Sequence, residues 1–270
     1  MKMISLNDKV KSAVEGDKKA LEEIVIQIQG LIYNLAVRML WHPDDAKDTT
    51  QEILIKVITN LSSFNHKSKF TTWVYRLASN TLINFQNKKL KQQVYFDQYE
   101  HQLQQGFSET IAYTTNKAEQ NLLIQEAKIG CSNAMLQCLN RESRLTYIIG
   151  EILEFNSREG AIICNITPEN FRKRLSRSKK SLHNFLHKNC GIINTNNTCR
   201  CYKKVDNSIK NKNIQPDNLL FAKDIKNTNL IKSIEYIQNE VDLYRSNPEY
   251  DTPDLILKEV RKIVSTNRNI

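Results

Sequence analysis

The chain has 270 residues, of which 40% are hydrophobic and 25% charged, an ordinary composition for a soluble protein. Its 7 glycines and 5 prolines are too few for an all-β fold rich in tight turns, and they favour a helical fold. Lys and Arg outnumber Asp and Glu by 39 to 29, so the net charge of +10 favours a polyanionic partner, nucleic acid ahead of a membrane surface.

The N-terminal residues 1–8 lack the apolar core and the cleavage site of a signal peptide, and we expect no segment long and apolar enough to span a membrane. These features predict a cytoplasmic protein without membrane insertion. Disulfides rarely persist in the cytoplasm, so the six cysteines are interpreted as small buried hydrophobes, reactive thiols or metal ligands.

Three helical patterns occupy the first third of the chain. Apolar residues recur at helical spacing from Leu21 to Met39, and residues 41–45 interrupt the pattern. These residues also start a second helix, whose predicted buried stripe is Ala46, Ile53, Leu54, Val57, Ile58 and Leu61. A third helix is predicted from about Thr71 to Lys91, after a polar loop at 62–69. The inward stripe of the third helix is predicted to be Val74, Leu77, Ala78, Leu82 and Phe85. We expect residues 8–93 to form one helical bundle.

The rest of the chain is predicted to contain a linker, a second helical domain and an extension. Residues 94–128 are Gln-rich and weakly patterned, which indicates a linker with some helical content. Residues 129–188 form the second domain, and residues 189–270 form a partly helical C-terminal extension. The predicted fold class is therefore all-α, with two small helical domains. Two amphipathic helices are expected in the extension, one around residues 230–244 and another at 255–264.

A helix-turn-helix pattern lies within the second domain. Ala161 is small where a second helix must approach closely, Asn165 can adopt the left-handed turn conformation, and Thr167-Pro168 can cap a new helix. Residues 168–180 then carry six cations and one carboxylate. Such a helix can enter the major groove with its flanking charges on phosphates, although a basic face that is merely solvated has the same pattern.

Two further surfaces are predicted in the first domain. Asp45, Asp48 and Glu52 share one helix face opposite the apolar stripe, and this face suits a basic protein partner better than phosphate. The alternative is a solvated face whose acids favour the helix dipole. The third helix presents, away from its core stripe, Trp73, Arg76, Asn80 and Asn84, followed by Lys88. Such a face can stack on unpaired bases and neutralise phosphates, although Trp73 is equally compatible with a core position.

Residues 44–53, 64–80 and 156–181 resemble the extracytoplasmic-function (ECF) sigma factors, and the resemblance covers roughly residues 10–93 and 129–188. It implies core RNA polymerase as partner, through the clamp of the largest subunit and the flap, together with promoter DNA. The residues expected to bind the polymerase are Asp45, Asp48, Gln51 and Glu52. The residues expected to capture the −10 element are Phe64, Asn65, His66, Lys67, Trp73, Arg76, Asn80, Asn84 and Lys88. The candidates for reading the −35 element are Glu169, Asn170, Arg172, Lys173, Arg174 and Arg177.

The function that the resemblance implies is recruitment of RNA polymerase to promoters and help in opening the DNA. No constellation of residues indicates an enzyme, and an anti-sigma protein is a further partner that the family implies. The alternatives are a helix-turn-helix regulator that acts without replacing the housekeeping sigma factor, and a metal- or thiol-responsive regulator. The chain departs from the family at Gly160, where a bulky apolar residue is usual, and at Cys164 and Asn165. We expect Gly160 to loosen the first helix of the motif.

A possible zinc site is predicted at the start of the extension. The segment contains His187, Cys190, Cys199 and Cys201, which supply four soft ligands in a compact stretch. The spacing is not that of a standard zinc finger, and purely structural thiols or redox-sensing thiols are alternatives that the sequence leaves open. No other cofactor is expected.

Overall fold

The structure, a computed structural model, describes residues 6–85, 94–222 and 237–266. Every regular element in these ranges is helical, so the all-α prediction is confirmed. The chain divides into two compact units. Unit 1 combines residues 1–87, 155–172 and 250–270, and unit 2 combines residues 88–154 and 173–249.

The α-helices fall in chain order as follows. They are α1 (Leu6–Val14), α2 (Lys18–Leu40), α3 (Pro43–Thr59), α4 (Phe70–Asn84), α5 (Phe96–Leu103), α6 (Lys117–Gln137), α7 (Arg141–Tyr147), α8 (Ser157–Cys164), α9 (Pro168–Asn189), α10 (Cys201–Lys210), α11 (Glu240–Arg245) and α12 (Asp254–Thr266). A π-helical turn, Ile148–Ile152, continues α7, and short 3₁₀ turns lie at Leu61–Ser63 and Pro216–Asn218.

Helix α2 is the central helix of unit 1, and its ends follow from local chemistry. Asp17 Oδ1 accepts hydrogen bonds from the backbone N–H groups of Lys19 and Ala20, at 2.9 and 3.1 Å, which satisfies two donors of the first turn. Trp41 ends the helix in the left-handed conformation, with φ of 63°. Between these caps, Ile24 and Ile28 are fully buried, so the predicted apolar stripe forms the core against α1, α3 and α4.

Length and composition make α2 the one helix among the described residues that could cross a membrane. The expectation that no segment reaches that apolar length was therefore wrong. The apolar surface of α2 is nevertheless used within unit 1, because Ile24, Ile28 and Ile32 have no exposed surface. Burial of this kind is typical of the core helix of a folded domain.

Helices α3 and α4 complete the bundle. The predicted stripe of α3 is confirmed, since Ala46, Ile53 and Leu54 are fully buried. Val74, Ala78 and Leu82 of α4 are buried as predicted, whereas Leu77 and Phe85 are only half-buried. Helix α4 ends at Asn84. Its predicted continuation to Lys91 falls on residues 86–93, outside the described residues.

The end of the chain belongs to the same unit. Helix α12, confirmed where a helix was predicted at 255–264, packs on α2 and α3 and buries Ile256 and Val260. Asn34 of α2 exchanges two hydrogen bonds with the backbone of Tyr250, accepting from its N–H at 2.8 Å and donating to its carbonyl at 3.1 Å. The guanidinium of Arg38 lies 5.3 Å from the centre of the Tyr250 ring.

Unit 2 is built around α6. This helix begins at Lys117, inside the predicted linker, and runs across the predicted domain border at residue 128. Its residues Leu123 and Ala127 pack on Val205 of α10 and on Ala222. The buried carboxylate of Glu126 accepts hydrogen bonds from the backbone N–H groups of three successive residues, Leu220, Phe221 and Ala222. The extension up to Ala222 is thereby tied to α6.

The amphipathic helix expected around residues 230–244 lies partly outside the described residues, because these stop at 222 and resume at 237. The described part contains α11, whose capping box is formed by Asn239 and Asp242. Tyr244 of α11 is buried, with its ring centre 5.4 Å from that of Tyr147.

Candidate functional site

The predicted polymerase-binding face lies on the outer side of α3. Pro43 begins the helix, and Asp44 and Asp45 place carboxylates in its first turn, where the helix dipole favours them. The Asp48 side chain is 74% exposed and the Glu52 side chain 54% exposed. Asp45 and Gln51 are half-buried. The structure therefore brings the four predicted residues onto one helix, with two carboxylates open to a partner.

Lysines lie beside both exposed carboxylates. Lys47 Nζ is 3.8 Å from Asp48 Oδ1, and Lys56 Nζ is 2.5 Å from Glu52 Oε1. Because all four side chains are partly solvated, each pair contributes little, about 0–1 kcal/mol. A basic partner could displace either lysine at small cost.

A groove between α3 and α4 joins this face to the predicted −10 surface. It is lined by Glu52 and Lys56 of α3, by Leu77, Asn80, Thr81 and Asn84 of α4, and by Phe85. Asn80 and Asn84 are exposed, and Lys56 Nζ donates to Thr81 Oγ1 at 3.2 Å. The groove thus offers two amides and a cation, which are groups that bind base edges and phosphates.

An aromatic cluster shapes the loop before α4. The ring of Phe64 lies 5.2 Å from Phe70, 5.6 Å from Trp73 and 4.5 Å from His66. Trp73 stacks on Phe70 with ring centres 5.5 Å apart and is half-buried, so it has both a packing role and an open side. Phe64 is only 6% exposed. In this structure Phe64 supports the loop from within, unlike the base contact expected from the sequence.

The polar residues of the loop point outward. Asn65, His66 and Lys67 are exposed, and Asn65 Oδ1 accepts from the backbone N–H of Lys67 at 3.2 Å. His66 adopts the left-handed conformation, with φ of 58°, which a histidine tolerates better than a branched residue. Lys88, the last residue of the predicted −10 set, lies outside the described residues.

Two cations of this surface pair with α8 inside unit 1. Arg76 Nη2 donates to Asn165 Oδ1 at 3.1 Å, and Lys69 Nζ lies 2.9 Å from Glu159 Oε1. The predicted set omitted Lys69, although its place at the end of the polar loop and its 75% exposed side chain suit it for phosphate contact.

The turn between α8 and α9 has the geometry that the sequence predicts. Asn165 has φ of 54° and ψ of 47°, and the N–H of Ile166 donates to Ala161 O at 3.0 Å. Thr167 Oγ1 accepts from the N–H of Asn170 at 3.2 Å, so the threonine caps α9.

The structure accounts for Gly160 differently from the expected loosening of α8. A Cβ at this position would lie 2.4 Å from Cζ of Phe171, whose ring is 1% exposed. Glycine therefore makes room for the Phe171 ring, which fills the space between the two helices.

The −35 candidates occupy the first three turns of α9. Glu169, Asn170, Arg172, Lys173 and Arg177 are exposed, and Arg174 is half-buried. The exposed cations agree in position with a helix that binds nucleic acid, and no contact in the structure assigns a base to any of them.

The predicted zinc ligands divide into two groups. His187 Nε2 lies 2.8 Å from Glu240 Oε1, and His183, one turn earlier, contacts the same carboxylate oxygen through Nδ1. Burial opposes ionisation of Glu240, but hydrogen bonds from its own N–H and from His183 outweigh burial, so the pKa of this carboxyl is lowered. Among the described residues, His183, His187 and Glu240 form the one group of possible metal ligands whose ligand atoms all lie within 4.8 Å of one another. Cys190, Cys199 and Cys201 lie in a separate group.

Comparison with known proteins shows what the chain is similar to. Residues 24–91 match sigma-70 region 2. The chain is 37% identical over 92 residues to the ECF RNA polymerase sigma factor SigW of Bacillus subtilis, a match that covers 34% of this chain and 49% of that protein. It is 25% identical over 175 residues to the ECF RNA polymerase sigma-E factor of Escherichia coli K12, covering 65% of this chain and 91% of that protein.

A solved structure is also similar. The sigma factor RpoE in complex with the anti-sigma factor NepR from Bartonella quintana aligns at 16% identity with a TM-score of 0.42, over 62% of this chain and 97% of that chain. The chain spans about half or less of the length of the first curated relatives it matches, at 49%, 39% and 40%.

Helices α2 to α4 thus form a sigma-70 region 2 domain, with the acidic face and the aromatic loop inside the matched residues. Outside these residues, the chain is similar to ECF sigma factors over the lengths given above.

Proposed function

We propose that the protein binds core RNA polymerase, directs it to specific promoters and promotes DNA melting at the start of transcription. The observation that carries the proposal is the region 2 match at residues 24–91, because it contains both the open acidic face of α3 and the amide-rich face of α4. The role is one of binding in the cytoplasm and requires no catalysis by the chain.

Polymerase binding is assigned to α3. Asp48 and Glu52 offer exposed carboxylates to a basic surface, for which the clamp of the largest polymerase subunit is the candidate, and Asp45 and Gln51 flank them. Charge complementarity of this kind sets orientation and speeds association more than it adds affinity. Contact with the polymerase flap is proposed for the part of the chain that contains α9.

Capture of the −10 element is assigned to the loop before α4 and to the outer face of α4. Unstacking a base costs a few kcal/mol, which stacking on an aromatic ring and hydrogen bonds to its edge can offset. The open side of Trp73, the amides of Asn80 and Asn84, and the exposed His66 and Lys67 supply these groups. Recognition of the −35 element is assigned to the exposed cations at the start of α9.

A protein regulator is a further proposed partner, since the structurally similar RpoE is bound to an anti-sigma factor. The α3 and α4 surfaces are its most direct targets, because covering them would block the proposed polymerase and DNA contacts.

The test is transcription in vitro with core RNA polymerase and genomic DNA of the source bacterium. We expect the full chain to co-elute with core polymerase and to direct transcripts from defined start sites that core alone does not produce. If the chain binds DNA but neither binds core polymerase nor directs initiation, it is a helix-turn-helix regulator and the proposal is wrong.

A charge-reversal pair localises the polymerase contact. We expect Asp48→Lys with Glu52→Lys to weaken core binding about tenfold or more, because two attractions become repulsions. The matched control is Glu15→Lys, which changes an exposed acid between α1 and α2. Thermal unfolding should be unchanged in both variants, since the affected side chains are largely solvated. If the two variants bind the polymerase equally well, α3 is not part of the interface.

A further inference from the structure

Four of the six cysteines lie in unit 2 around the start of α10. Cys131 belongs to α6, Cys190 follows the last residue of α9, Cys199 precedes α10, and Cys201 is its first residue. All four are half-buried free thiols. Cys131 lies 59 to 70 positions before the other three in the sequence, so only the fold brings it to them.

The packing of α6 on α10 sets the position of Cys131. Leu123 and Ala127 on one stripe of α6 pack in one cluster with Val205, against which Ile209 of α10 also packs. In a helix, residues four apart share a face. One turn beyond Ala127 on that stripe of α6 is Cys131, and one turn before Val205 on α10 is Cys201. The contact between α6 and α10 therefore has Cys131 on one helix and Cys201 on the other at the same end.

A tight loop brings in the other two thiols. The N–H of Gly191 donates to Cys199 O at 3.1 Å, which closes the chain between Cys190 and Cys199. A Cβ at Gly191 would lie 2.2 Å from that carbonyl oxygen, so the closure needs glycine. The Arg200 guanidinium binds carbonyls within the loop, including Thr195 O at 3.0 Å and Cys199 O at 2.9 Å. The loop is therefore held in one conformation.

The four thiols also influence one another's ionisation. Burial, followed by the neighbouring thiols, raises the pKa of Cys201 to about 12 and of Cys199 to about 11. The same causes hold the pKa of Cys131 well above its usual range. Each of the six pairs among Cys131, Cys190, Cys199 and Cys201 contributes to one of these shifts.

We infer that Cys131, Cys190, Cys199 and Cys201 form a tetrahedral four-thiolate site for zinc. Four thiolates are a common ligand set of structural zinc sites, and binding replaces the thiol protons with Zn²⁺–S bonds, so protons are released. Lys128 and Lys204 lie close enough to Cys201 and Cys199, respectively, to offset the net negative charge of the site. As free thiols, no three of these described sulfurs fall within 4.8 Å of one another, so the metal would draw them together by side-chain rotation.

This ligand set differs from the one that the sequence predicts, because Cys131 takes the place of His187. The site would link α6, the end of α9 and the start of α10, which makes it a structural cross-link of unit 2. The inference does not depend on the proposed transcription function, since the cysteines lie outside the region 2 match.

The test uses the full chain, purified without an affinity tag, and zinc or Co²⁺ as the probe. We expect one zinc per chain, released as thiols are titrated with a mercurial reagent. Cobalt substitution of the unmutated protein should give the strong thiolate-to-metal charge-transfer bands of tetrahedral cobalt with four sulfur ligands. This spectrum reports the ligands even if single variants fold poorly.

Single alanine variants identify the ligands. We expect Cys131→Ala, Cys190→Ala, Cys199→Ala and Cys201→Ala each to weaken zinc binding by about 100-fold or more, beyond the loss typical of outer-sphere changes. The matched controls Cys138→Ala, Cys164→Ala and His187→Ala should keep one zinc per chain. Zinc retained in Cys131→Ala, or lost in His187→Ala, overturns the proposed ligand set. A zinc-free chain, or disulfides in its place under reducing purification, overturns the site altogether.

Discussion

Replacement of Gly160 by alanine tests the packing of the helix-turn-helix. In an isolated helix this change stabilises by about 1 kcal/mol, because alanine is the better helix former. Here the new Cβ would lie 2.4 and 2.5 Å from two carbons of the Phe171 ring, where ordinary contact begins at 3.4 Å. The ring is 1% exposed and cannot move into solvent. Overpacking of a core costs about 1–3 kcal/mol, which exceeds the gain from helix propensity. We therefore expect Gly160→Ala to lower the free energy of unfolding by up to about 2 kcal/mol.

The assay is equilibrium urea unfolding followed by circular dichroism, with Gly30→Ala as the matched control. Gly30 lies inside α2 of the same unit, and a Cβ there would have its nearest neighbour at 3.8 Å, so this variant should gain stability. The smaller side chain in Phe171→Leu should relieve part of the Gly160→Ala penalty, which a double-mutant cycle measures. If Gly160→Ala raises the free energy of unfolding as much as Gly30→Ala does, the Phe171 ring does not restrict position 160 and the prediction is wrong.

Three other contacts yield predictions. Asn34→Ala removes both hydrogen bonds to Tyr250 and should speed amide exchange in α12 while leaving α4 protected, a change that hydrogen exchange detects. Glu126→Gln leaves one oxygen for three N–H donors and should cost about 1–3 kcal/mol at neutral pH. Burial raises the pKa of Glu126, so the free energy of unfolding of the unmutated protein should decrease as the pH rises above 4.5. Unfolding measured over a pH series should show a smaller decrease in Glu126→Gln, which cannot ionise at this position. Glu159→Gln frees Lys69 and should tighten promoter binding by the holoenzyme about two- to threefold at low salt, with no gain at high salt in a filter-binding assay.

Local patterns in the sequence were sufficient for the elements of region 2 and for the turn before α9. The buried stripe of α3 follows from apolar residues at helical spacing, and the left-handed Asn165 follows from the demand of the turn for a residue that tolerates positive φ. These features depend on residues within a few turns of one another. A periodicity argument therefore reaches them without knowledge of the tertiary fold.

Long-range contacts were beyond such reasoning. Asn34 and Tyr250 are 216 positions apart, and nothing local marks the asparagine as the partner of a distant backbone. The local sequence predicts Glu126 to be an ordinary residue on a helix surface. Its carboxylate instead accepts hydrogen bonds from three backbone N–H groups about 95 positions away. A local signal does mark the histidine pair, because His183 and His187 at four-residue spacing must share a helix face. That spacing favours pairing of the histidines with each other over a site shared with the cysteines.

The pairing of Arg76 and Lys69 with α8 bears directly on the proposed promoter contact. Both cations are assigned to DNA by their position, and both are engaged by unit 1 itself, through Asn165 and Glu159. The Arg76 and Asn165 side chains and the Lys69 ammonium are solvent-exposed, so each contact is worth at most about 1 kcal/mol. A phosphate group gains more from a neutralising cation, because condensed counterions are released from the DNA. DNA can therefore take over both side chains without large cost, and the contacts seen here compete with promoter binding only weakly, most at low salt where ion pairs are least screened.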